Sequence, residues 1–125
     1  MRVEEILNEI SKISDLCYPV GGMYYTHTYF HRCAHINIKE FENRNLSDEE
    51  IRKIENFILS AVAENHLDKI SDNAPKYSSQ LVEALNRFDK IRVSGFHQDD
   101  LTASIEIEAI SENNGYSWVL NWSID

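Results

Sequence analysis

The segment YYTHTYFHRCAHINI, Tyr24 to Ile38, sets His27, His31 and His35 four residues apart, with Cys33 between the last two. Imidazole and thiolate are the standard protein ligands of zinc, and a thiol beside an imidazole is also the starting material of nucleophilic catalysis. Geometry decides between these chemistries. On an extended strand, residues two apart share a face at about 6.6 Å and residues four apart at about 13 Å. Three histidines spaced by four therefore cannot converge on one zinc from a straight strand, because each nitrogen must come within about 2.1 Å of the metal. His31, Cys33 and His35 form the better ligand set, and a turn near Phe30 to Arg32 would be needed to bring in His27. A complete site requires further ligands and outer acceptors, yet the chain has no CxxC, no HExxH and no second cysteine cluster. In the alternative, Phe30, Ala34, Ile36 and Ile38 face the core and leave His31, Cys33 and His35 on a half-exposed strand face. The expectation is no metal and no cofactor.

A second cluster, His97, Asp99 and Asp100, offers an imidazole and paired carboxylates for acid and base work. HQDD is more simply a turn, since aspartate supports turns through its own side chain. Cys33 lies two residues from His31 and from His35, about 6.6 Å away along one strand face, so it resembles a catalytic thiol and imidazole pair only by its nearness in sequence. The only glycines are Gly21, Gly22, Gly95 and Gly115, so there is no glycine-rich phosphate loop. No group of residues satisfies the requirement of a nucleophile, a base and an orienting partner, and the chain reads as a binder rather than an enzyme.

These residues must be positioned by the surrounding elements. Val3, Ile6, Leu7, Ile10, Ile13 and Cys17 recur at helical spacing, and YPVGG ends that helix. Met23 to Phe41 has strand composition but exceeds one strand's usual length, which predicts two strands or one with a bulge. In LSDEEI, Ser47 and Glu50 form a capping box while Leu46 and Ile51 form a hydrophobic staple. The apolar stripe then runs from Ile51 to about His66. Another helix starts near Pro75 and carries Tyr77, Leu81, Leu85 and Phe88. From residue 90 the period changes to two: KIRVSGF, then Leu101, Ala103, Ile105, Ile107 and Ala109 alternating with polar residues, then Tyr116, Trp118, Leu120, Trp122 and Ile124. The pattern predicts a single α+β domain over residues 1–125, an antiparallel sheet with a C-terminal three-strand meander, covered on one face by about three helices.

At 125 residues the chain can bury roughly two thirds of its unfolded surface, enough for one core. Its N-terminal segment is charged throughout and no apolar run reaches membrane-spanning length, so the expectation is a soluble, cytoplasmic protein with no membrane partner. Cys17 and Cys33 are read as reduced thiols. The net charge is −9. Val93 to Asp125 contains Asp99, Asp100, Glu106, Glu108, Glu112 and Asp125 with no lysine or arginine. Such a surface repels nucleic acid and attracts basic proteins, although acidic excess also serves solubility alone.

With the segment SGFHQDDLTASIEIEAISENNGYSWVLNWSID at its end, the chain resembles the small acidic immunity proteins that bacteria pair with secreted toxins, such as those of contact-dependent inhibition systems. The resemblance spans the chain through size, acidity and element pattern, without a shared motif, so no residue's role is carried over. It implies a protein that binds and neutralises a cognate toxin, often a basic nuclease, without cofactor or direct nucleic-acid contact. The charge reading assigns the contacts to Asp99, Asp100, Glu106, Glu108 and Glu112, with Glu106 and Glu108 on the outer sheet face and the others at adjoining turns. A second reading is a small-molecule-binding or enzymatic domain with a pocket between helices and sheet lined by Tyr24, Tyr29, His31, His97 and Trp118. A third is an acidic regulator whose carboxylates imitate nucleic-acid phosphates.

Elemental analysis checks the reading of the histidine segment. The purified protein should carry far less than one zinc per chain, and chelator should leave its Tm unchanged. A structural zinc would couple to folding, so one zinc per chain with a Tm that falls on chelation would contradict it.

Overall fold

A computed structural model describes residues 2–17, 21–30, 45–62, 74–112 and 114–123. His31, Cys33 and His35, and the second half of the strand-like segment Met23 to Phe41, lie outside the described residues. Helix α1, Val3–Cys17, buries Val3, Ile6, Leu7 and Ile10, the stripe its spacing dictates. Strand β1, Gly22–Phe30, opens on Gly22 at φ 118°. A side chain at Gly22 would be strained there, and its Cβ would meet the Asp15 carboxylate at 3.0 Å. Ser11 Oγ donates to the Met23 carbonyl at 2.8 Å and Tyr25 Oη to Asn8 Oδ1 at 2.7 Å, fastening α1 along β1. Burial, and then the Glu4 carboxylate, raise the Tyr25 phenol above its ordinary pKa, so it stays a donor.

Helix α2, Asp48–Val62, starts with the expected capping box: Ser47 N donates to Glu50 Oε1 at 3.0 Å and Glu50 N to Ser47 Oγ at 3.2 Å. The apolar side of α2, including Ile54, Phe57, Ile58 and Ala61, is fully buried. Helix α3, Ala74–Leu85, runs back along α2, because Asn86 just beyond its end accepts the Leu46 N–H at 2.9 Å, ahead of the start of α2. Phe88, expected on this helix, lies past its end and packs on the core from the following turn.

Strands β2 (Lys90–Gln98), β3 (Thr102–Ser111) and β4 (Asn114–Ser123) form the expected antiparallel meander. β1 adds beside β4, giving the order β1-β4-β3-β2 in an antiparallel sheet. The described residues thus form an α+β fold with three helices on one sheet face. Met23, Trp118, Leu120, Trp122, Ala103, Ile105, Ile107 and Ile91 point into the core with the helices. Leu101 was expected to join them and does not. It is 59% exposed, standing before β3 in the β2–β3 turn, where its N–H is held by Asp99 rather than by the ladder. Among the described residues no helix is long and apolar enough to cross a membrane.

One carboxylate ties helix to sheet. Glu50 is only 8% exposed, and besides the box its Oε2 accepts the Val93 N–H at 2.7 Å, beside the bulge that shifts register between Val93 and Gly95. Among the described residues β2 is an edge of the sheet, whose outward N–H groups have no strand to bond, and Glu50 satisfies one of them. Glu50→Ala should therefore cost about 3 kcal/mol, since it strands buried donors on both elements. Ser47→Ala, which removes only the cap, should cost about 1 kcal/mol. Urea denaturation of the two variants separates the values, and equal losses would mean that the Val93 bond adds nothing.

Candidate functional site

Strand parity divides the sheet into two chemically different faces. On the face away from the helices, pairing places Tyr24, Asn121, Ser104 and His97 in one row, Thr26, Val119, Glu106 and Gly95 in the next, and Thr28, Ser117, Glu108 and Arg92 in a third. Tyr24, Thr26, Thr28, Glu106 and His97 are exposed. Ile110, further along β3, is by contrast buried. Among the described residues no helix is assigned to this face.

The five carboxylates assigned to recognition do not make one patch. Asp99 and Asp100 lie in the β2–β3 turn and Glu112 in the β3–β4 turn, at opposite ends of a ten-residue strand, hence about 30 Å apart. The acidic segment begins directly after Arg92, and antiparallel pairing folds Arg92 back opposite Glu108. Arg92 Nη2 and Nε donate to Glu108 Oε1 at 2.9 and 3.1 Å, with both side chains about one-fifth exposed. Glu108 is therefore neutralised within the fold, contrary to the expectation drawn from the lack of basic residues in its own segment. Glu106 has no such partner. Its carboxylate lies over the bulge, where a Cβ on Gly95 would come within 3.5 Å of it, and no ion pair reaches it among the described residues.

Helices and sheet also differ in charge. Helices α1 and α2 carry eight carboxylates against three cations, whereas the two carboxylates of the strands, Glu106 and Glu108, are matched by Lys90 and Arg92. Among the described residues the negative excess thus divides between α1 with α2 and the turns that hold Asp89, Asp99, Asp100 and Glu112, and the open sheet face is polar and nearly neutral around Glu106.

Asp99 is a turn former. Its Oδ1 accepts the Leu101 and Thr102 amides, both at 2.8 Å, and Oδ2 lies 3.1 Å from His97 Nε2. Those two amide bonds, and then His97, lower its carboxyl from 3.8 to about 2. His97 and Asp99 are both more than half exposed, and the pair faces solvent rather than a pocket. Among the described residues no cluster of three or more histidine, cysteine or acidic side chains could hold a metal ion.

On the helix side, the residues proposed for a pocket separate. Tyr24 and His97 belong to the opposite face and His31 lies outside the described residues, while Trp118 and Tyr29 remain. They belong to an aromatic wall: His27 stacks on Trp118 at 5.2 Å, Tyr29 tilts against Tyr116 at 5.3 Å, and Phe88 meets Tyr116 and Trp118 at 5.2 and 5.5 Å. A cleft of about 690 Å³ opens against Tyr116, Trp118 and Phe88, with Arg2, Glu4 and Glu5 on the α1 side and Arg87 on the α3 side. Sequence reasoning missed Arg2, Arg87, Phe88 and Tyr116 here. Tyr116 and Trp118 share a strand face, the one local signal, but their apposition to His27 and Tyr29 depends on pairing β1 with β4.

Compared with protein families, curated proteins and solved structures, the chain matches none.

The pH dependence of the turn is testable. A lowered carboxyl pKa contributes stability above the unfolded value of about 3.9, and that contribution is lost as pH falls toward 2. Asp99→Asn should flatten the decline of Tm between those limits. A decline identical to that of the unsubstituted protein would show that the turn bonds do not depend on the charge.

Proposed function

We propose that the protein is a binding protein that inhibits a basic partner protein, in the manner of a bacterial immunity protein and its toxin, and that recognition is centred on the open sheet face. The observation that carries this reading is Glu106, an exposed carboxylate with no ion-pair partner among the described residues, in a row with exposed Thr26 and half-buried Val119. Folding alone gives little reason to keep an acid here, because Arg92, the cation of the next row, is already engaged by Glu108 and leaves Glu106 without an ion pair among the described residues. A lysine or arginine from a partner would supply that reason. The flanking Tyr24, Ser104, Asn121 and Thr28 offer hydroxyl and amide groups of the kind that interfaces use for adaptable hydrogen bonding.

The acidity of α1 and α2 supports the same partner at longer range. Lying across the sheet from the proposed contact, these helices add a general attraction for a basic protein at low salt without orienting it. Glu108 takes a different role from Glu106: paired with Arg92, it stiffens the edge strand beside the contact. Asp99, Asp100 and Glu112 lie at the ends of the face and contribute to its rim. The reaction proposed is binding alone, with no cofactor and no turnover. A toxin domain encoded immediately upstream of this gene would supply the partner, whereas a neighbourhood of metabolic enzymes would favour the aromatic cleft as the working site.

Two charge reversals separate recognition from folding. Glu106→Lys should leave stability within about 0.5 kcal/mol, as exposed substitutions do, while slowing association with the toxin domain several-fold at low salt in surface plasmon resonance. Glu108→Lys should instead lower the Tm, since it sets a second cation against Arg92. If Glu106→Lys binds at the unsubstituted rate, the open face is not the contact.

A further inference from the structure

The aromatic cleft on the helix side has a composition that the binding of a protein to the opposite face does not use. Its floor is Trp118, 1% exposed, with the half-buried rings of Tyr116 and Phe88 beside it. The Tyr116 and Trp118 rings lie 10° from parallel with centroids 6.1 Å apart, and because His27 and Phe88 already pack on Trp118, the half-buried rings of Tyr116 and Phe88 above it are what a molecule entering the cleft meets first. Stacked or edge-on contacts with such rings favour another planar ring.

The charged groups around this surface set the rest of the ligand. Glu4 Oε1 lies 3.3 Å from His27 Nε2, a hydrogen-bond distance that becomes an ion pair only when the imidazole is protonated. Arg87 reaches Glu83 at only 3.4 Å, and both side chains are more than 60% exposed, so the guanidinium is lightly held. Arg2 has no ion-pair partner among the described residues and lines the α1 side of the same cleft. Two guanidiniums, one from the α1 side and one from the α3 side, thus share the cleft with the carboxylates of Glu4 and Glu5. Guanidinium groups match carboxylate and phosphate oxygens in a planar, two-pronged fashion. The overall negative charge does not prevent this, because exposed charges beyond a Debye length of about 8 Å are largely screened.

From these features we infer that the cleft is a binding site for a planar aromatic anion, with its ring against Tyr116, Trp118 and Phe88 and its carboxylate or phosphate between Arg2 and Arg87. A volume of about 690 Å³ falls within the range of small-molecule sites, roughly 300–1,000 Å³. Glu5 is placed to accept from a hydroxyl or amino group on the ligand.

The chain's two tryptophans make the test internal. Trp118 is in the cleft, and Trp122 sits one register step from the far end of β4, opposite Met23 and Ala103. In ¹H–¹⁵N spectra of the full chain, titration with indole-3-acetate or phenyl phosphate at millimolar concentrations should saturate, moving the Trp118 indole signal and leaving that of Trp122 in place. Inorganic phosphate and benzyl alcohol, which lack the ring and the charge respectively, should move neither. The double variant R2Q/R87Q, whose substitutions lie on exposed side chains, should keep the spectrum of the folded protein and bind both probes at least tenfold more weakly. Absence of saturation by both probes would overturn the inference. So would an equal response to inorganic phosphate, an unchanged affinity in the double variant, or a response centred on Trp122. If one of the two aromatic anions alone binds, the site stands and the active probe names its acid group.

Discussion

The fold depends on the Glu50 carboxylate more than on any other polar group. One oxygen closes the cap of α2 and the other accepts an N–H of the edge strand β2. Together with the Ser11–Met23, Tyr25–Asn8 and Gln98–Ser60 bonds, this nearly buried charge holds the helix layer in register with the sheet. Burial of a carboxylate is costly unless its lone pairs are bonded, and here backbone donors from two elements meet that demand. The position of the bulge follows from the same contact. With Val93 turned to the helix, the strand takes up an extra residue before Gly95, and the missing side chain at Gly95 leaves room for Glu106 to lie across the strand. A buried helix cap and an exposed carboxylate on the other side of the sheet are thereby linked through three residues of β2.

Much of this was legible in the chain. The capping box and staple at Leu46, Ser47, Glu50 and Ile51 mark the start of α2 to the residue, and the alternation through Ala103, Ile105 and Ile107 gives the buried face of β3. Local pattern reaches its limit where the partner is distant in sequence. Nothing near Glu50 announces Val93, 43 positions away, and nothing within Val93 to Asp125 announces that Arg92 returns across the strand to Glu108. Leu101 shows the reverse failure. It continues an apolar alternation, yet the side chain of Asp99 claims its N–H for a turn and takes it out of the sheet. The aromatic cleft has the same origin as the missed ion pair, since His27 and Tyr29 meet Trp118 and Tyr116 only because the first strand inserts beside the last.

Charge and shape are divided between the two sides of the molecule. The α1 and α2 helices and the turns at the sheet's ends hold the negative excess of the described residues, while the strands balance theirs, two carboxylates against Lys90 and Arg92. A uniformly acidic surface would attract basic partners without orienting them, whereas a neutral, hydroxyl-rich face with one unpaired acid defines a point of attachment. The aromatic cleft lies on the side of the helices, separated from that face by the sheet itself, so occupation of one leaves the other accessible.

The claim that the open sheet face is where a protein partner binds is tested most directly by cross-saturation of methyl groups in a labelled chain mixed with the unlabelled toxin domain. Transfer from the partner should attenuate the methyls of Val119 and Thr26, on the open face, and spare those of Leu59 and Ile51 on α2. Attenuation confined to Leu59 and Ile51 would place the partner on the helices and contradict the account.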